Sequence, residues 1–204
     1  MRQNRMKEKL GAGEPAFGVS VMIPAPQVVE RVGRLGFDWV MIDCELGALG
    51  PETVELLCLA AEASNITPIA RPRSKAAEDI LQVLDRGAMG VQVPHVNTAA
   101  DARAVVEAVK YHPLGKRGLA AGTRPADYGL TLSAAEYVQQ VNRETVVCVQ
   151  LEEVEALRHL DEILQVEGVD VFFVGPSDLS QSMGYPGQRD VPEVREAIDR
   201  AFAA

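Results

Sequence analysis

Charged and polar residues recur where apolar runs end. Asp43 and Glu45 follow Trp39-Val40-Met41-Ile42, Arg71 closes Thr67-Pro68-Ile69-Ala70, and His95 follows Val91-Gln92-Val93-Pro94. Gln150 and Glu152 close a run that begins at Val146, and Ser177 and Asp178 follow Phe172-Phe173-Val174. An ionised group at the end of a buried strand is costly unless it is paired or put to use. Glu152 and Asp178 end successive runs, so a parallel sheet would aim both into one crevice mouth. Two carboxylates there repel each other unless a cation or a shared proton compensates. Oxygen donors without a Cys/His cluster suit a hard ion, Mg²⁺ or Mn²⁺. The same two acids also suit helix N-termini, where the dipole favours them. The segment Gly175-Pro176-Ser177 lies at a helix start, a setting for an anion.

Arg71 precedes Pro72, which keeps it extended and directs it into the mouth. There it could grip a carboxylate, stabilise a developing oxyanion, or form a structural ion pair with a nearby acid. Asp85 ends a helix, where the dipole disfavours an acid, so it either pairs with Arg86 or serves a neighbouring subunit. His95 is the histidine placed for the mouth, as a hydrogen-bonded structural residue or a functional one. His112 falls in a loop and His159 in a helix among charged residues.

The elements that must position these residues alternate. Apolar runs at 16–23, 37–43, 67–71, 89–96, 145–152 and 169–175 read as six strands. Between them lie amphipathic stretches, among them 25–36 with Val28, Val29, Val32 and Leu35 on one face, and 50–64 with Pro51 in its first turn. Residues 98–111 form a helix with Thr98 as N-cap and Asp101 three residues on. A short helix precedes Gly11, residues 153–168 form one helix, 176–190 a loop, and 191–204 a last helix. The segment 112–129, rich in glycine, breaks the rhythm, and a loop that long in a compact domain is usually functional. Strand–helix alternation implies right-handed βαβ units and a parallel sheet, and the nearly continuous apolar runs suit strands covered on both faces. A doubly wound open sheet and a (β/α)8 barrel both fit. Neither G-x-G-x-x-G nor a P-loop follows any strand, and polar residues at many strand ends are the barrel's pattern.

The chain has 204 residues, 47% of them hydrophobic, enough for a single domain over 1–204. A net charge of −9, from 29 acids and 20 bases, argues against nucleic acid or an anionic membrane as partner. No apolar run approaches the ~20 residues that span a membrane, and the basic start lacks the apolar core of a secretory signal. Cys44, Cys58 and Cys148 form no C-x-x-C pair and read as buried free thiols suited to the cytoplasm.

With these elements in place, "FDWVMIDCELG", "PIARP", "VPHVNTAADAR", "YHPLGKRG", "VCVQLEEVEAL" and "VEGVDVFFVGPSDLS" resemble the HpcH/HpaI family of class II aldolases over nearly the whole chain. The resemblance implies an α/β fold, a (β/α)8 TIM barrel of the pyruvate-aldolase type. It implies a divalent cation, Mg²⁺ or Mn²⁺ with Co²⁺ a third candidate, on Glu152 and Asp178. It implies a 2-oxo acid bound through its carbonyl and carboxylate oxygens, with Arg71 at the enolate oxygen. Asp43 and Glu45 would stand beside it as catalytic acids, and Gln150, Gly175, Pro176 and Ser177 would line the substrate. The implied reaction is reversible cleavage of a 4-hydroxy-2-oxo acid to pyruvate, or a close analogue, and an aldehyde. The implied assembly is a homo-oligomer, a hexamer or a trimer, in which Asp85 reaches a neighbour's site. Lys75, Lys110 and Lys116 lie off the strands, in keeping with a reaction that needs no Schiff-base lysine. Two features depart from the family. Its Asp-x-Glu-His-Gly pattern reads Asp43-Cys44-Glu45-Leu46-Gly47 here, so the presumed proton-transfer histidine is a leucine. Family chains also run on through two more strand–helix units, so a C-terminally incomplete barrel is expected. Leu46 opens two alternatives: an oxaloacetate-type decarboxylase, or an impaired protein that binds metal and 2-oxo acid.

Overall fold

The computed structural model describes residues 2–204. Six strands, β1 (Gly18–Val21), β2 (Trp39–Asp43), β3 (Thr67–Arg71), β4 (Gly90–Val93), β5 (Val146–Leu151) and β6 (Val171–Val174), form one sheet in sequential order. Every neighbouring pair is parallel. A doubly wound sheet must reverse its order at a switch point, and this one does not, so that architecture is excluded. The inner strands β3 and β5 are buried throughout, whereas the edge strands β1 and β6 are partly exposed.

Ten α-helices connect and flank the strands: α1 (Arg5–Gly11), α2 (Pro26–Arg34), α3 (Pro51–Ala63), α4 (Ala77–Leu84), α5 (Ala99–Val109), α6 (Ala134–Glu144), α7 (Val154–Arg158), α8 (Leu160–Leu164), α9 (Pro176–Ser182) and α10 (Pro192–Ala203). Prolines at the first turn of α2, α3, α9 and α10 preset the helical φ. The capping box expected at Thr98 forms with Asp101, and α6 has a second one, Ser133 with Glu136. Two expectations need correcting. Residues 153–168 form two short helices rather than one, because His159 leaves helical geometry at ψ 16°. The stretch 176–190 is not all loop: Pro176 starts α9, and buried Leu179 and Ser180 hold it down.

Strand side chains alternate between two faces. Val40, Ile42, Val91, Val93, Val147 and Val149 join the main core, which the helices cover. The opposite series carries a second cluster at its floor, where Trp39, Ile69, Val146 and Val171 pack with Met6 and Leu10 of α1. Above that floor the same face turns polar, through Gln92 and Gln150 to Asp43, Arg71 and Glu152. Gly90 is required in the floor: a Cβ there would lie 2.7 Å from the Ile69 Cδ1 atom and 2.7 Å from the Val146 carbonyl oxygen.

The long segment after α5 lies at the far end of the sheet from the polar strand ends. Arg124 pairs with Glu62 at the end of α3, and Arg117 pairs with Asp85 at 2.7 Å while stacking 4.8 Å above the Tyr111 ring. Asp127 and Tyr128 both take left-handed backbone there, at φ 51° and 54°. It folds under the N-terminal ends of the strands, so its irregularity serves packing at that end of this chain rather than the crevice. Gly90→Ala is expected to cost about 1–3 kcal/mol through overpacking against a backbone oxygen that cannot yield. Urea unfolding checks this, and an unchanged midpoint would contradict the packing described.

Candidate active site

Arg71 is held by acids from the neighbouring strand. Register places Asp43 directly beside Arg71 on β2 and β3. The guanidinium donates from Nε to Asp43 Oδ1 at 2.9 Å and from Nη2 to Asp43 Oδ2 at 2.6 Å, a two-point clamp. Its Nε also lies 3.1 Å from Glu45 Oε2. Asp43 Oδ1 accepts two more bonds, from the N–H groups of Glu45 and Leu46, both at 3.2 Å. Burial pushes the Asp43 carboxyl upward, but the Arg71 hydrogen bonds, the Leu46 and Glu45 N–H groups and the Arg71 charge hold it below the usual carboxylate range. Arg71 is raised in turn, its own burial outweighed by Asp43.

A second chain of contacts runs along β4 and β5. Gln92 donates to Gln150 Oε1 at 2.7 Å, and the Gln150 amide donates to Glu152. Glu152 is 1% exposed, and its Oε1 accepts the His95 N–H at 2.9 Å. Burial pushes its carboxyl up, and the charge of Asp178 adds to the rise, against the lowering effect of His95 and Gln150. Gly175 cradles it: a Cβ at 175 would stand 2.8 Å from Glu152 Cβ and 2.9 Å from Oε2. Asp178 and Ser177 are exposed in the first turn of α9, beside half-buried Pro176.

His95 joins the two groups. Its backbone has φ 55°, a strained value for a non-glycine residue that surrounding contacts must hold. The ring reaches Glu45 Oε1 from Nε2 at 3.2 Å and Glu153 Oε1 from Nδ1 at 2.8 Å. Burial acts to lower its pKa, but Glu153, Glu152 and Glu45 together raise it.

Of the residues singled out from sequence, Asp43, Glu45, Arg71, His95, Gln150, Glu152 and Gly175 converge on one crevice, and Pro176, Ser177 and Asp178 stand at its α9 rim. Asp85 does not join them within this chain. It caps α4 at the opposite end of the sheet, paired with Arg117 rather than Arg86, which pairs with Glu55. Gln92 and Glu153 were missed. Gln92 had a legible signal, a lone amide inside an apolar strand. Glu153, the first residue of the stretch 153–168, carries no separate signal in the sequence.

The donor set fits a hard cation. Glu152 and Asp178 offer carboxylate oxygens, with the Asp178 charge acting on Glu152, and among the described residues no three His, Cys, Asp or Glu side chains are arranged to hold a metal ion by themselves. Mg²⁺ binds in this way, through one or two carboxylates plus substrate oxygens and water.

The family pattern of HpcH/HpaI aldolase/citrate lyase matches residues 18–204. The chain belongs to this family. Within it, the chain is 39% identical over 201 residues to a hydroxypyruvate/pyruvate aldolase from Sagittula stellata, covering 98% of this chain and 78% of that relative. It is 40% identical over 205 residues to a 2-keto-3-deoxy-L-rhamnonate aldolase from Escherichia coli, covering 98% of this chain and 74% of that one. The crystal structure of an HpcH/HpaI aldolase from Desulfitobacterium hafniense superposes with a TM-score of 0.90 at 32% identity, covering 97% of this chain and 76% of that chain. The strand-end residues described above all fall inside the matched span.

Because Asp43 has a folded-state pKa below its unfolded value, its contribution to stability is full above about pH 4 and is lost as pH falls through the lowered value. Asp43→Asn is expected to cost about 3–5 kcal/mol at pH 7, since it leaves Arg71 short of its partner. The gap from the wild type should narrow toward pH 3. Urea unfolding across that range checks this, and a gap independent of pH would contradict the clamp.

Proposed function

We propose that the protein is a class II aldolase, a carbon–carbon lyase that cleaves a 4-hydroxy-2-oxo acid to pyruvate, or a close analogue, and an aldehyde. The observation that carries this is the placement of Arg71 and Glu152 in one crevice, backed by membership in an aldolase/citrate lyase family and by the two named aldolases. Cleavage leaves negative charge on the 2-oxo oxygen, and a fixed guanidinium there stabilises it without reorganising. Glu152 and Asp178 would hold Mg²⁺, Mn²⁺ or Co²⁺, which supplies Lewis-acid polarisation of the carbonyl when bound.

The chain's own residues do the rest. Arg71, kept in place by Asp43 and Glu45, binds and orients the oxo-acid oxygens. Gln150, fixed by Gln92, aligns Glu152 and faces the substrate with Gly175, Pro176 and Ser177. The hydroxyl proton lost on cleavage passes to the Glu45–His95 pair, the proton-carrying groups nearest the mouth on the β2 and β4 side. The sequential sheet with open β1 and β6 edges supports an arc of an eight-stranded barrel. Three buried free thiols support a cytoplasmic setting. A trimer or hexamer would let Asp85 of one copy approach the crevice of another.

Leu46 supports a second reading, decarboxylation of an oxaloacetate-like acid, which uses the same enolate but moves no hydroxyl proton. The discriminating assay incubates the protein with Mn²⁺ and a panel of 4-hydroxy-2-oxo acids and of oxaloacetate. Pyruvate release from the hydroxy acids is expected, falling about 10²–10³-fold in Arg71→Lys, as when an oxyanion donor is lost. Leu46→His should raise cleavage if the site lacks only a stronger base. Release from oxaloacetate alone would favour the decarboxylase. Binding of oxalate without turnover of any substrate would leave a binding protein.

A further inference from the structure

The crevice has two unlike walls. On the β4–β5 side stand His95, Glu153 and Glu152, all ionisable. On the β1–β2 side stand two large apolar side chains in solvent: Met22 at 50% and Leu46 at 71% exposure. Single exposed apolar residues need no explanation, but these are tied to the Arg71 clamp. The Leu46 N–H donates to Asp43 Oδ1 at 3.2 Å, the oxygen that also accepts from Arg71 Nε. Gly47 then folds the turn down onto β1, since a Cβ there would lie 3.0 Å from the Met22 oxygen and 2.3 Å from the Asp43 oxygen. Any larger residue at 47 would push Leu46 and Met22 apart.

Register fixes the level. Val21 pairs with Ile42 and Asp43 with Arg71, so Met22, one step beyond Val21, stands level with both. Adjacent strands lie about 4.8 Å apart, which brings Met22 within one small-molecule length of the guanidinium. By alternation from Gly18 and Ser20, Met22 faces the same side as Asp43.

We propose that Met22 and Leu46 form an apolar acceptor subsite that selects aldehydes with an apolar substituent over polyhydroxylated ones. This rests on the aldolase reading and names its substrate class. With the oxo-acid end held between Arg71 and Glu152, the substituent beyond C4 leaves the crevice across the opposite wall. A sugar-derived chain there would leave its hydroxyls facing two side chains that offer no hydrogen bond, whereas an alkyl or aryl group removes apolar surface from water. Leucine at 46, the residue that departs from the family pattern, is then a specificity residue.

Three readouts test this apart from the reading it rests on. Deuterium exchange into the pyruvate methyl group, with Mn²⁺ and no aldehyde, reports the enolate chemistry of the wild type. In the synthesis direction, isobutyraldehyde and benzaldehyde should exceed glyceraldehyde in kcat/KM by about tenfold or more, the range that one or two buried methylene equivalents supply. Leu46→Asn and Met22→Gln should each shrink that ratio severalfold. Methyl-labelled protein gives a readout without turnover: the Leu46 and Met22 methyl signals should shift with isobutyraldehyde and not with glyceraldehyde. Exchange without an apolar preference, or a preference that survives both substitutions, overturns the subsite. Failure of exchange overturns the enolate reading, and the methyl signals then decide the subsite alone, equal or absent shifts overturning it.

Discussion

A buried arginine between two acids is the constraint around which the upper half of the sheet is arranged. Removing a guanidinium from water is costly unless its hydrogen bonds are replaced, and here Asp43 and Glu45 replace them at 2.6 to 3.1 Å. The same Asp43 oxygen accepts the Glu45 and Leu46 N–H groups, so the clamp also sets the turn after β2. That turn places Leu46 on the rim and brings Glu45 within reach of His95. One ion pair thus fixes the position of a guanidinium, of Leu46 and of the Glu45–His95 contact. Parallel register makes this possible, because it stacks Asp43 beside Arg71 without any long-range loop.

The Glu152 side depends on a different device. Gly175 leaves room for the carboxylate where a Cβ would not, and the amides of Gln92 and Gln150 keep its orientation. Its carboxyl is pushed up by burial and by Asp178. That is an electrostatic tension between two acids which a cation would relieve. The clamp and the carboxylate pair are different devices: one fixes a guanidinium against two acids, the other, in the reading proposed above, would hold a cation.

Much of this was legible in the sequence because strand periodicity and strand-end polarity are local signals. All six strands lie within the expected apolar runs, and β3 matches residue for residue. Arg71, Asp43 and Glu152 were marked by the cost of placing charge at those ends. The elements that differed were governed by tertiary packing. His159 interrupts a stretch whose apolar pattern alone runs on, and α9 is short enough that only Pro176 and the burial of Leu179 announce it. The long segment after α5 was unreadable in its direction: glycines and prolines mark irregular backbone but do not say which end of a sheet it covers. Asp85 shows the same gap, since its partner Arg117 comes from that segment. The wall formed by Met22 and Leu46 needed register and the Gly47 contact, neither of which a linear pattern contains.

Family membership supports the aldolase chemistry proposed for the crevice, while Leu46 departs from the family pattern. The direct test of the central claim is anomalous scattering from crystals grown with Mn²⁺ and oxalate, a mimic of the pyruvate enolate. The expected result is a manganese peak between Glu152 and Asp178, with oxalate oxygens on the metal and one of them facing Arg71. A peak elsewhere, or oxalate bound away from Arg71, would contradict it.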